Sequence, residues 1–279
     1  MFLLYNSDLL PEDQFRIAAT DRAFQYGDGL FETIRYETGR LWFWPDHLAR
    51  LGRGLEALGL MPPELLHPAT FKPRIDELLT ANELTDRPAR VRIQVWRRPG
   101  GLYTPTSPEA DLLVTVQPTP AFALTARDTL VLYPDVRLVA SPVSGVKTLS
   151  ALPYVLAGQH RRQHGYDDVV LLDARGALAE CVASNLFWFR DGTLYTPSPE
   201  TGCVEGIVRA RLMKQCLRAG VTVRQGRFSP DNLFGTELVF CTNIGGVQWF
   251  KRVNGRAVGQ RTVLLEPLLN AIVKGAYTD

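Results

Sequence analysis

Lysine is scarce in this chain: five (Lys72, Lys147, Lys214, Lys251 and Lys274) stand among 31 basic residues in a length of 279. Net charge is scarce too. The formal balance is +2, which removes the electrostatic case for nucleic acid or an anionic membrane as a partner. There are four cysteines (Cys181, Cys203, Cys216, Cys241) and no CxxC spacing. This excludes a disulfide scaffold or zinc ribbon and predicts reduced thiols, with Cys181 and Cys241 buried inside apolar runs; no metal is expected. No apolar run approaches the length of about 18 residues that spans a bilayer. The opening MFLLYNSDLLPED lacks the basic and apolar regions of a signal peptide. A cytoplasmic protein is expected.

What is present is ordinary globular material, 46% hydrophobic and 22% charged, long enough for a core without disulfides. LFETIRY (30–36) reads as a strand. A turn at 37–40 leads to LWFW (41–44) as its hairpin partner, and Pro45 opens a helix over 46–60 with Leu48, Leu51, Leu55 and Leu58 on one face. A helix at 70–82 and strands at 89–97 and 111–118 follow. The two prolines of QPTPAFALT (117–125) and a shift in composition predict a linker at 119–126 between a small α/β domain, 1–118, and a larger domain, 127–279. The second half reads as a strand near 129–140, a helix at 149–164, and strands at 168–173, 178–190 and 193–196. A helix at 205–219, strands at 221–226, 237–241 and 247–253 and a helix at 260–275 complete an α+β protein.

Four features of the second half belong together chemically. Lys147 stands alone before a helix. Glu180 interrupts the apolar strand ALAECVASNLFWF. GCVEGIVRARL (202–212) is a glycine turn feeding a helix, and CTNIGGVQWF (241–250) is a polar turn. A lysine amine forms Schiff bases with carbonyls. A carboxylate keeps a pyridine nitrogen protonated, so that the ring accepts carbanion electrons. Helix N-terminal amides, here those of Ile207 and Val208, and turn amides, here those of Thr242 and Asn243, bind phosphate. Together these parts suit pyridoxal 5′-phosphate. Each alone has a plainer reading: a solvated lysine, an edge-strand acid, turn-forming glycines, an asparagine capping a turn.

The chain resembles the class IV aminotransferases, the fold-type IV pyridoxal-phosphate enzymes. DRAFQYGDGLFETIR (21–35), DHLARL (46–51), GVKTLSALPYVLA (145–157), AECVASNLFW (179–188) and GCVEGIVR (202–209) match its blocks in order. The resemblance implies a small α/β domain, a larger β-barrel-like domain with helices, and a homodimer whose partner lines part of the pocket. It makes Lys147 the catalytic amine, Glu180 the partner of the pyridinium, and Arg50 a charged fork on the phosphate beside the amides of Ile207, Val208, Thr242 and Asn243. Tyr26, Phe31, Arg35 and Arg97 resemble substrate-pocket positions, although Arg35 and Arg97 read equally as surface residues.

Family members share removal of the substrate's α proton and then diverge. Transaminases interconvert amino acids and keto acids. 4-Amino-4-deoxychorismate lyase expels pyruvate and leaves 4-aminobenzoate. SNLFW and LYTP resemble the lyase branch most. A branched-chain aminotransferase would show a G-T-A turn where Thr242-Asn243-Ile244 stands, and a tyrosine where Leu152 stands. The lyase is the first expectation and a branched-chain or D-amino-acid transaminase the second. A cofactor-free binding dimer is the non-enzymatic alternative.

Overall fold

The alternation at 30–36 becomes a strand whose two faces differ in kind. In the computed structural model, which describes residues 1–276, the chain divides into two compact units: Met1–Ala121 with Val146–Ser150, and Phe122–Gly145 with Ala151–Asp279.

The first unit carries β1 (Phe2–Tyr5), β2 (Asp8–Pro11), a short α1 (Arg22–Tyr26), β3 (Gly29–Glu37), β4 (Arg40–Leu41), α2 (Trp44–Leu58), α3 (Pro68–Ala81), β5 (Ala89–Arg97) and β6 (Ala110–Pro118). The strands form one antiparallel sheet in the order β2-β1-β6-β5-β3-β4. Leu30, Glu32 and Ile34 pair with Val95, Ile93 and Val91, and this face is buried. Phe31, Thr33 and Arg35 pair with Gln94, Arg92 and Arg90 on the opposite face. Such alternation follows from the two-residue period of a strand.

Several boundaries differ from the sequence expectation. Only Arg40 and Leu41 pair back on β3. Phe43 takes a left-handed conformation (φ 53°), which turns the chain into α2 two residues early, with Pro45 in the first turn. Buried Trp42 and Phe43 therefore fill the core rather than extend a hairpin. The helix expected at 149 begins at Leu152, because Pro153 belongs in a first turn and not an interior. The freed segment, Val146–Ser150, docks on the edge of β3: Phe31 N donates to Lys147 O (2.8 Å) and Leu149 N to Gly29 O (2.9 Å). That edge is open because β4 pairs only at Tyr36 and Glu37.

The second unit is built from β7 (Ala123–Leu138), α4 (Leu152–His164), β8 (Asp168–Asp173), β9 (Leu178–Cys181), β10 (Asn185–Arg190), β11 (Thr193–Pro197), α5 (Ile207–Arg218), β12 (Val223–Gly226), β13 (Leu238–Asn243), β14 (Gly246–Val253), β15 (Arg256–Ala257) and α6 (Glu266–Ala276). Its sheet runs β12-β11-β10-β13-β14-β7-β8-β9, with β15 on β14. The run expected as one strand at 178–190 breaks at Val182–Ser184, where Cys181 N bonds Ser184 O (2.8 Å). Leu130, Val170, Leu186, Trp188, Val239 and Phe250 form one core with Cys181 and Cys241. All four cysteines are free and buried. Helix α4 covers β7 and β8, where Ala157 and Tyr154 meet Val169, Leu171 and Ala179. No helix among the described residues is long and apolar enough to cross a membrane.

Candidate active site

Glu180 occupies a strand position whose neighbours are apolar, and it is 3% exposed. A buried carboxylate needs donors, and three are provided within the second unit. Its Oε1 accepts from the Tyr154 hydroxyl (2.7 Å) on α4 and from the Val204 amide (3.0 Å) before α5. Its Oε2 accepts from Asn185 Nδ2 (3.1 Å) at the start of β10. The same Asn185 nitrogen also donates to Val204 O (2.8 Å), which locks the loop to the strand. Burial, followed by the charge of Glu180, pushes the Tyr154 phenol far above its ordinary range, so it remains a donor.

Helix α5 begins at Ile207 and Val208 with Gly206 as its N-cap, and no side chain caps it. A Cβ on Gly206 would lie 2.0 Å from Asn185 Oδ1, so this close approach requires glycine. In the ladder Asn185 pairs with Thr242. The Thr242 hydroxyl is buried and has no hydrogen-bond partner. Thr242 and Asn243 end β13, and the turn itself is Ile244–Gly245. Asn243 Oδ1 accepts from Gly245 N (2.8 Å), while its Nδ2 braces Ala183 O and Ser184 Oγ (3.2 and 3.0 Å).

Lys147 and Phe31 meet in the first unit: the Lys147 ammonium sits 4.7 Å from the Phe31 ring centre, and the Arg92 guanidinium lies 4.2 Å from the same ring. Arg50 is buried on α2. Its Nε and Nη2 fork onto Glu32 Oε1 and Oε2 (2.7 and 2.6 Å), and His47 Nδ1 meets Glu32 Oε2 at 2.7 Å. Tyr26 ends α1, with its ring centre 5.6 Å from that of Tyr103. Arg35 and Arg97 are not surface residues. Arg35 bonds Glu37 (2.6 Å) and Pro120 O (2.8 Å), and Arg97 bonds Asp28 (2.9 Å) and Leu58 O (2.6 Å). Both guanidinium groups are thus engaged inside the first unit.

Tyr154, Asn185 and Glu32 stand outside the site residues that the sequence singles out. Asn185 could have been found from its E-x4-N spacing, and Glu32 from its place on the core face of an amphipathic strand. Tyr154 carries no local signal, because a helix 26 residues upstream delivers it.

Residues 29–249 match the family described as Amino-transferase class IV. The chain belongs to this family. It is a pyridoxal-phosphate-dependent aminotransferase or lyase, so the cofactor-free alternative falls away. Among its relatives is an aminodeoxychorismate lyase of Vibrio harveyi, 28% identical over 84% of this chain and 86% of the relative. Another is a probable branched-chain-amino-acid aminotransferase of Rickettsia bellii, 25% identical over 94% and 90%. The fold is that of the T.th. branched-chain amino acid aminotransferase solved with pyridoxamine 5′-phosphate, with a TM-score of 0.88, 23% identity, and coverage of 100% of this chain and 95% of that one.

The second unit suits this cofactor on its own evidence. A buried carboxylate is available for a ring nitrogen. An uncapped helix N-terminus and an orphaned threonine hydroxyl are unsatisfied donors of the kind a phosphate satisfies.

Proposed function

We propose that this class IV enzyme acts as a 4-amino-4-deoxychorismate lyase, eliminating pyruvate to leave 4-aminobenzoate. When bound, pyridoxal phosphate supplies an electron-accepting ring that stabilises the negative charge left by α-proton removal. Lys147 would hold the cofactor through its amine and move the proton at the substrate's α carbon. Glu180 holds the proton on the ring nitrogen. The amides of Ile207 and Val208, together with Thr242 and Asn243, grip the phosphate, and Arg50, whose Nε and Nη2 are held on Glu32, is the resemblance's further candidate for it. Phe31 and Tyr26 line the substrate. Arg35 and Arg97 shape the small domain from within.

The observation that carries the lyase reading is the pair of departures from the branched-chain pattern. Leu152, at the head of α4, leaves no phenol at that position, and Thr242-Asn243 closes a strand instead of forming a G-T-A turn. The transaminase reading is favoured by the Rickettsia bellii relative, which spans more of the chain than the Vibrio harveyi one. Feeding aminodeoxychorismate to the holoenzyme should release pyruvate and 4-aminobenzoate in equal amounts. Conversion to the pyridoxamine form by leucine or D-alanine, with no pyruvate from aminodeoxychorismate, would establish a transaminase instead.

We also assign a homodimer in the cytoplasm. In the first unit Phe24, Leu102 and Tyr103 are 73%, 74% and 89% exposed, and Tyr103 packs on Tyr26. Such apolar groups favour cover by another surface. Light scattering on the purified enzyme tests the dimer.

A further inference from the structure

We propose that Tyr154 and Asn185 are positioning residues that hold Glu180 as a carboxylate and thereby keep the proton on the cofactor's ring nitrogen. This rests on the reading that Glu180 partners that nitrogen. A pyridine and a carboxyl group facing one another share one proton in either of two ways. The proton sits on nitrogen, giving an ion pair, or on oxygen, giving two neutral groups. Burial favours the neutral arrangement, because it penalises charge. Glu180 is buried in an apolar strand, so burial alone would pull the proton toward oxygen and weaken the ring as an electron acceptor. Hydrogen bonds to the anion act the other way.

The donors are placed on both oxygens. Tyr154 and Val204 serve Oε1, and Asn185 serves Oε2. The Val204 amide is backbone, but the other two donors are choices of side chain. Asn185 does double duty, since its bond to Val204 O also holds the Val204 amide in place. Tyr154 comes from α4, where its ring packs with Val169, Leu171 and Ala179, and a phenylalanine would satisfy that packing equally well. What the tyrosine adds is its hydroxyl, and that hydroxyl bonds Glu180. A phenol donates more strongly to a carboxylate than to a neutral carboxyl group, so its hydrogen bond favours the charged form.

The test uses holoenzyme reconstituted with cofactor labelled with nitrogen-15 in the ring, read by NMR. The wild type should show a protonated ring nitrogen. Tyr154→Phe should move the resonance toward the unprotonated range and slow α-proton removal by about tenfold, the weight of one hydrogen bond to a charged group. Cofactor affinity should stay within about twofold by the same reasoning, since no phosphate ligand is touched. Asn185→Ala should shift the resonance further, because it removes one donor and loosens a second. A Tyr154→Phe resonance identical to wild type, in a background where Glu180→Gln does move it, reduces the tyrosine to packing and overturns the inference. A wild-type ring nitrogen that is unprotonated and indifferent to Glu180→Gln overturns the Glu180 reading first, and this inference with it.

Discussion

Arg50 grips Glu32 with two parallel N–H···O bonds of 2.7 and 2.6 Å, both side chains buried on the core face of the first unit's sheet. The acid arrives there because the strand period puts position 32 on the inward face between Leu30 and Ile34. The helix periodicity of α2 puts His47 and Arg50 on one side, three residues apart, to meet it. A buried pair of this kind is costly to break from one side, since the survivor keeps its charge and loses its partner.

Glu32→Gln should therefore lower the unfolding free energy by about 3 kcal/mol or more, measured by denaturant titration of the apo enzyme. If the loss is only a few tenths, Arg50 finds compensation elsewhere.

Acid should expose the same pair. Burial alone would raise the Glu32 pKa, but the hydrogen bonds from Arg50 and His47 outweigh it and hold the group down to about 2, against an ordinary 4.5. A depressed folded value means stability that is present above the ordinary range and lost as pH falls toward 2, about 3 kcal/mol in all. Burial also lowers His47, which adds loss in the same direction as pH drops below its ordinary 6.5. Stability of the wild type should fall between pH 6 and 2 more steeply than that of Glu32→Gln. Parallel curves would show that other groups dominate.

Thr242→Val removes a buried hydroxyl without a partner. The apo enzyme should become equally or more stable, because an unsatisfied polar group costs about 1–3 kcal/mol. The holoenzyme should hold cofactor about tenfold less tightly, on the order of one lost charge-assisted bond. Calorimetric melting of both forms separates the two effects, and a shift of the same sign in both would argue against a phosphate at this hydroxyl.

Gly206→Ala places a methyl 2.0 Å from Asn185 Oδ1. Asn185 must move, disturbing Glu180 and Val204 together. Destabilisation of about 1–3 kcal/mol is expected, along with weaker cofactor retention in equilibrium dialysis. Gly220→Ala, where open space surrounds the Cβ but φ is 73°, should cost stability while leaving retention intact.

Glu180→Gln should leave the cofactor bound and slow exchange of the substrate's α-deuterium by about a hundredfold or more. Unchanged exchange would remove Glu180 from its assigned place.

The sequence alone determined the local material. The two-residue alternation of β3, β5 and β6, the leucine stripe of α2 and the glycine before α5 are each written within a short window. The acid in β9 and the lone lysine before α4 could be singled out because apolar and arginine-rich surroundings made them conspicuous. Ends were harder. Phe43 breaks its hairpin through a left-handed backbone conformation that costs a phenylalanine strain and that tertiary burial of the ring sustains. Only the tertiary structure decided who touches whom. It put Tyr154 on Glu180, docked the Lys147 segment on the edge of β3, and turned Arg35 and Arg97 inward although their spacing read as surface or pocket. The physical reason is that periodicity encodes which face of an element is apolar, whereas a hydrogen bond between residues 26 apart depends on how a helix is laid across a sheet, and no window of sequence contains that angle.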